Sequence, residues 1–300
     1  MSCALVTGAT GFIGRHTLSR LAKRGFDVHA VARSAPPDGS EATWHTTDLL
    51  EPGEAQRLVR DIRPSHLLHL AWFATPGEFW SSPENHRWVE ASTTLIREFA
   101  AAGGKRVVVA GTCAEYDWSS GVFVEGETRL EPATLYGRSK HVLHERTEQL
   151  AREAGIAAAW GRIFFVYGPH EHPNRLVASV ICSLLRGTEA RCSHGQQVRD
   201  FLHVTDVADA FIALVDSDTG GPVNIASGSP TRVRDLVELV AAAVGRRDLL
   251  RFGAVPTPPG EPPVLVADVR RLREELGWVP RFSLEEGVMQ TVAWWRREGA

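Results

Sequence analysis

The chain has 300 residues, 43% of them hydrophobic and 23% charged, and a formal net charge of −3 with no run of like charges. This composition suits a soluble globular protein with a large core and argues against a nucleic-acid or membrane-surface binder, since both need a basic patch. No basic-then-apolar leader opens the chain, no apolar run reaches the ~18 residues of a bilayer span, and Cys3, Cys113, Cys182 and Cys192 form no CxxC pair; the expectation is a cytoplasmic protein with free buried thiols and no metal.

The first two-thirds alternates short apolar runs with helical patterns. CALVTGA (3–9) predicts a strand, and FIGRHTLSRLAKRG (12–25) a helix stopped by Gly25. The strand FDVHAVA (26–32), a proline-rich turn and the short strand EATWHTTDLL (41–50) come next. A helix over 55–63, a strand over 66–72, a helix over 86–104 and the fully apolar strand RVVVAGT (106–112) follow. A long helix then runs over 134–155, with Thr134 as N-cap and Gly155 as stop, before the strand IAAAWGRIFFVYG (156–168). Apolar strands separated by helices imply a parallel sheet covered on both faces, hence an α/β, doubly wound Rossmann fold.

After Gly168 the alternation weakens. Residues 169–200 mix a polar loop with one helix, and 201–226 resume the strand-and-helix habit. A helix near 231–245, the proline-rich VPTPPGEPP and a helical end complete the chain. The expected organisation is a dinucleotide-binding domain over 1–168, to which 201–226 returns, and a smaller C-terminal substrate-binding lobe formed by 169–200 and 227–300.

Two patterns carry chemistry. VTGATGFIG places Gly8, Gly11 and Gly14 between the first strand and the first helix. A phosphate needs backbone N–H groups at close range, and the helix N-terminus adds partial positive charge, so this turn predicts dinucleotide binding. In ATLYGRSKH, Tyr136 and Lys140 stand four apart on one helix face. Alone, that is either an ordinary amphipathic face or a proton-transfer pair; the glycine turn favours the pair.

Gly-x-x-Gly-x-x-Gly resembles the short-chain dehydrogenase/reductase superfamily, and TGATGFIG its extended branch of sugar-nucleotide epimerases, dehydratases and reductases. YGRSK, GRIFFVYGP, RDFLHVTDVADA and LGWVP fall in the order of that branch. The resemblance implies that Gly8, Thr10, Gly11, Phe12, Ile13 and Gly14 hold the cofactor diphosphate. It implies Tyr136 as acid/base, Lys140 as the residue that holds the nicotinamide ribose and favours the phenolate, and Thr112 as the hydroxyl that orients the substrate oxygen. Asp48 and Leu49 would contact adenine, Leu70, Ala71 and Trp72 would lie along the diphosphate and ribose, and Phe164 would pack behind the nicotinamide. Where NAD-selective members carry an acid after the second strand, this chain has Arg33 and Ser34, so NADP is the expected cofactor, with NAD as the alternative. Related 4,6-dehydratases follow the hydroxyl residue with aspartate and glutamate; Cys113 and Ala114 stand here, which weakens a dehydratase reading. On the substrate side, Phe165 replaces a usual asparagine, Arg199 matches a diphosphate-gripping arginine, and Pro258 stands where a second arginine is common. Arg175 or Arg251 would rebuild that clamp. His170, Glu171 and His172 are expected near the substrate mouth. The resulting expectation is NADPH-dependent reduction of a keto-sugar, with a sugar-nucleotide epimerase as runner-up, a non-catalytic dinucleotide sensor third, and a homodimer through paired helices that include the Tyr136 helix.

Overall fold

A computed structural model describes residues 2–34 and 42–299; the turn expected within 35–41 lies outside the described residues. Seven parallel strands form the main sheet: β1 (Cys3–Thr7), β2 (Asp27–Ala32), β3 (Thr43–Thr46), β4 (His66–His69), β5 (Arg106–Thr112), β7 (Ala157–Ile163) and β11 (Gly221–Ile225). Their order is β11-β7-β5-β4-β1-β2-β3. The order of succession of the strands reverses between β1 and β4, which opens the crevice where α/β sheets bind ligands.

Both faces are covered, as the apolar strands require. On one side α1 (Leu18–Lys23) and α6 (Val204–Val215) pack on Ala4, Val6, Leu68, Val108 and Ala110. On the other, α2 (Glu54–Ile62), α3 (Glu84–Ala101) and α4 (Leu135–Ala154) cover Leu5, Leu67, Val107 and Val109. Helix α4 has the expected ends: the Thr134 hydroxyl accepts from the Gly137 N–H at 3.0 Å, and Gly155 closes the helix in the left-handed region.

The remaining strands build a second sheet. It runs β12 (Pro230–Arg232), β10 (Val198–His203), β14 (Val264–Ala267) and β6 (Val122–Phe123), with β8 (Phe165–Tyr167) also paired to β10. A small ribbon joins β9 (Ala190–Cys192) to β13 (Leu250–Phe252). Helices α5 (Leu176–Leu185), α7 (Val233–Val244) and α8 (Leu284–Glu298) enclose a separate core around Ile181, Leu236 and Val288.

Three expectations change. The helix expected over 12–25 is a short 3-10 turn, Gly14–His16, followed by α1, because the glycine turn occupies the start of that stretch. The single strand expected over 156–168 is two: it breaks at Phe164, whose N–H turns to the Ile225 carbonyl, and β8 leaves the main sheet for β10. Cys3 is half-buried, unlike the other three cysteines.

Candidate active site

The glycine turn sits against the end of β4. The Leu70 N–H donates to the Thr7 carbonyl at 3.2 Å and the Ala71 N–H to the Thr7 hydroxyl at 3.3 Å, which brings Leu70, Ala71 and Trp72 beside it. Gly8 has a φ of 68°, and a Cβ there would strike the Ala71 backbone; one at Gly14 would strike the Gly8 carbonyl. A Cβ at Gly11 meets nothing within 4 Å beyond that same Gly8 carbonyl group. Two glycines therefore serve the turn's own packing, and the third leaves one side open to a close-approaching ligand. Together with this open side, the exposed Arg33 and Ser34 just past β2 and the Asp48–Leu49 turn after β3 lie at the same ends of the strands and fit a dinucleotide.

Thr112, Tyr136 and Lys140 meet where β5 ends against α4. The Thr112 side chain faces the Tyr136 hydroxyl and favours its charged form. Rings surround the phenol: Phe79 at 4.9 Å between centroids, Trp80 at 5.8 Å and Trp72 at 6.4 Å, all edge-on. Desolvation by this wall pushes the Tyr136 pKa up, and the Thr112 side chain and the Arg175 charge oppose the rise. One turn on, Lys140 is 4% exposed; its Nζ donates to the Ala110 carbonyl at 2.8 Å and lies 3.8 Å from the centre of the Trp72 ring. Burial pushes its pKa down to about 7, against the pull of the Glu115 charge. Phe164 is buried in the gap between β7 and β8, near Phe123.

The Arg175 charge is one of the smaller influences on the phenol. Arg175 stands at the start of α5, exposed, with its guanidinium 5.5 Å from the Phe79 ring centre. Arg199 is 3% exposed, ion-paired with Glu261, and lies 5.4 Å from the Phe165 ring centre. Arg251 is engaged elsewhere, with Glu189 at 2.9 Å. In the His170–His172 loop, the first two side chains have their own neighbours. His170 adopts a φ of 69°, its ring packs on Trp294 at 4.6 Å, and its Nδ1 lies 2.7 Å from an Arg15 nitrogen. Glu171 is buried, its N–H donates to the Gly168 carbonyl at 3.2 Å, and burial raises its pKa to about 8.

A group the sequence reading missed stands behind Thr112. Glu115, wholly buried, accepts from the Thr112 N–H at 2.8 Å, from Trp160 Nε1 at 2.9 Å and from Arg162 Nε at 2.9 Å. Arg162 also reaches the Tyr116 hydroxyl at 3.1 Å, which donates to Asn224 at 2.8 Å. The signal was present: a lone arginine inside the apolar strand AAAWGRIFF and a lone glutamate after GTCA need a charged partner if buried.

The model of the NAD-dependent epimerase/dehydratase family matches residues 4–226. The chain belongs to this family. A UDP-glucose 4-epimerase of Azospirillum brasilense is 29% identical over 98% of this chain and 91% of its own. A UDP-glucuronic acid decarboxylase 1 of Xenopus tropicalis is 25% identical over 98% of this chain and 72% of its own. Among solved structures, MoeE5 in complex with UDP-glucuronic acid and NAD superposes with a TM-score of 0.86 at 31% identity, covering 99% of this chain and all of that one. This epimerase/dehydratase family member is thus a Rossmann-type enzyme of the extended short-chain dehydrogenase/reductase kind. Among the described residues no helix is long and apolar enough to cross a membrane.

Proposed function

We propose that this chain is a sugar-nucleotide epimerase, inverting one hydroxyl-bearing carbon of a hexose carried on a nucleoside diphosphate. The comparisons favour this over net keto-sugar reduction. One observation carries the choice against water elimination. Cys113 and Ala114 follow Thr112, and the carboxylate next in line, Glu115, is held by Thr112, Trp160 and Arg162, so it is not free to act as an elimination base.

The bound dinucleotide would supply the acceptor and donor of hydride. With the positive charge of an oxidised dinucleotide offsetting the phenol's desolvation, Tyr136 would act as phenolate, take the proton of the sugar hydroxyl as it becomes a ketone, and return it on the way back. Thr112, next to the phenol, would donate its hydroxyl hydrogen to that oxygen and orient it. Lys140 spends one proton on Ala110, and its others are those a ribose hydroxyl would accept. Arg175, beside the phenol, is placed to meet negative charge on the sugar, and Arg199 to meet the diphosphate once Glu261 gives way. Arg33 supports NADP as the dinucleotide, since guanidinium suits a 2′-phosphate; the 4-epimerase-like chemistry itself is indifferent to that phosphate. A homodimer through paired helices, among them the Tyr136 helix α4, is part of the same proposal.

The test is stoichiometric. UDP-glucose and UDP-glucuronic acid are each incubated with enzyme and catalytic NAD or NADP, and products are followed by NMR. Epimerised sugar without net cofactor consumption is expected, with the uronate preferred because of Arg175. A parallel incubation supplies a nucleoside-diphosphate keto-sugar with NADPH; oxidation of one NADPH for every keto-sugar reduced, with no epimerisation of UDP-glucose or UDP-glucuronic acid, would instead establish the reductase.

A further inference from the structure

The ends of β1 and β2 remote from the glycine turn carry a second group of donor side chains. Cys3 pairs in register with Asp27, and His29 lies two residues further along β2, hence on the same face. Their donor atoms lie within 4.8 Å of one another. We propose that Cys3, Asp27 and His29 bind a zinc ion, with His45 orienting His29. Soft thiolate, imidazole and carboxylate are zinc's ordinary ligands, and water completes a tetrahedron.

The geometry supports this in two ways. His29 Nε2 and Asp27 Oδ2 stand 3.3 Å apart. That is the edge of a tetrahedron whose metal–ligand bonds are about 2.0–2.1 Å. On the other side of the ring, His29 Nδ1 lies 2.9 Å from His45 Nε2. With Nδ1–H donating to His45, the His29 Nε2 lone pair is left towards Asp27, the outer-ligand arrangement that fixes metal-binding histidines. His45 is held on β3 opposite Val31, on the same face. The Asp27 side chain is 54% exposed, so an ion has access. On binding, the thiol proton leaves to solvent and the sulfur lone pair forms the metal bond. The other mixed cluster, Glu115 with His141 and His144, lacks this capacity because the Arg162 guanidinium already neutralises Glu115.

The test uses the full chain, stripped with chelator and titrated with Co²⁺, then with Zn²⁺ in competition. A near-ultraviolet thiolate-to-cobalt band saturating at one ion per chain and displaced by Zn²⁺ is expected. Cys3→Ser should abolish the band, Asp27→Asn should weaken binding, and His45→Phe should weaken it about ten- to hundred-fold. Asp27 is exposed, so that variant keeps the fold if Cys3→Ser does not. No band at millimolar Co²⁺, or a band unchanged in Cys3→Ser and Asp27→Asn, overturns the proposal.

Discussion

At the scale of single residues, the Tyr136 hydroxyl carries the proposed chemistry and its ring carries the packing. Tyr136→Phe leaves the Phe79, Trp80 and Trp72 contacts in place and removes the proton. Turnover should fall about 100- to 10,000-fold while dinucleotide affinity, read by fluorescence titration, changes little. Activity within a few-fold of wild type would remove Tyr136 from the mechanism. Arg33 is the opposite case, an exposed side chain with one proposed partner. Arg33→Ala should weaken NADP binding about ten- to hundred-fold, the worth of a charge-assisted contact, and leave NAD binding nearly unchanged. A wild-type preference for NAD, measured in the same titration, would contradict this assignment. These residues were readable from sequence because each sits inside a local motif. Arg175 was named too, but as a diphosphate ligand; only the chain path placed it by the phenol, 39 positions from it in sequence.

At the scale of elements, the end of β5, the helix α4 and the strand β7 are joined through one buried ion pair. Glu115 and Arg162 are 0% and 1% exposed at their side chains and 2.9 Å apart. Removing one partner strands the other's charge in the interior, so Arg162→Met should cost about 3–5 kcal/mol in chemical denaturation. The double variant Glu115→Gln/Arg162→Met should lose clearly less than the sum of the single changes, since no charge is then left alone. Glu115 also holds the Thr112 N–H, so Glu115→Gln should lower kcat more than it raises KM. Equal, additive losses would show that the pair is not coupled. Element types were legible wherever hydrophobic periodicity was strong, as in α4 and β5. The departure of β8 from β7 was not, because an apolar run reads the same whichever sheet it joins. The Glu115–Arg162 pair spans 47 positions, and pairing at that distance is a property of the fold.

At the scale of the whole molecule, the seam between the two cores holds histidines that burial keeps neutral. His16 and His203 are each pushed down to about 4, by desolvation above all; for His16 the Pro169 carbonyl partly opposes this, and neighbouring basic groups add to it at both sites. His203 Nδ1 bonds the Thr205 hydroxyl at 2.8 Å, and its ring lies 4.9 Å from Phe282. The sequence marked both as ordinary helix and strand residues, since a histidine's burial depends on which lobe closes over it. The folded state resists protonating them, whereas the unfolded chain protonates them near pH 6.5. Between pH 4 and 6.5 the unfolded state therefore binds more protons, and stability rises with pH. Glu171 works against this. Its folded pKa is raised to about 8 from 4.5, so the folded state holds a proton the unfolded state has lost, and stability falls as pH climbs through that window. Below pH 6.5 the two histidines outweigh Glu171. Above pH 7 Lys140, pushed down to about 7 from 10.5, offsets Glu171, because the unfolded state keeps a lysine proton that the folded state has lost. Denaturation free energy measured from pH 4 to 8 should rise up to about pH 6.5 and then level off. His203→Gln should flatten the acid limb by about one proton's slope, ~1.4 kcal/mol per pH unit, and Glu171→Gln should turn the plateau into a continued rise. An acid limb unchanged by His203→Gln would show that this histidine titrates freely and that the seam admits water.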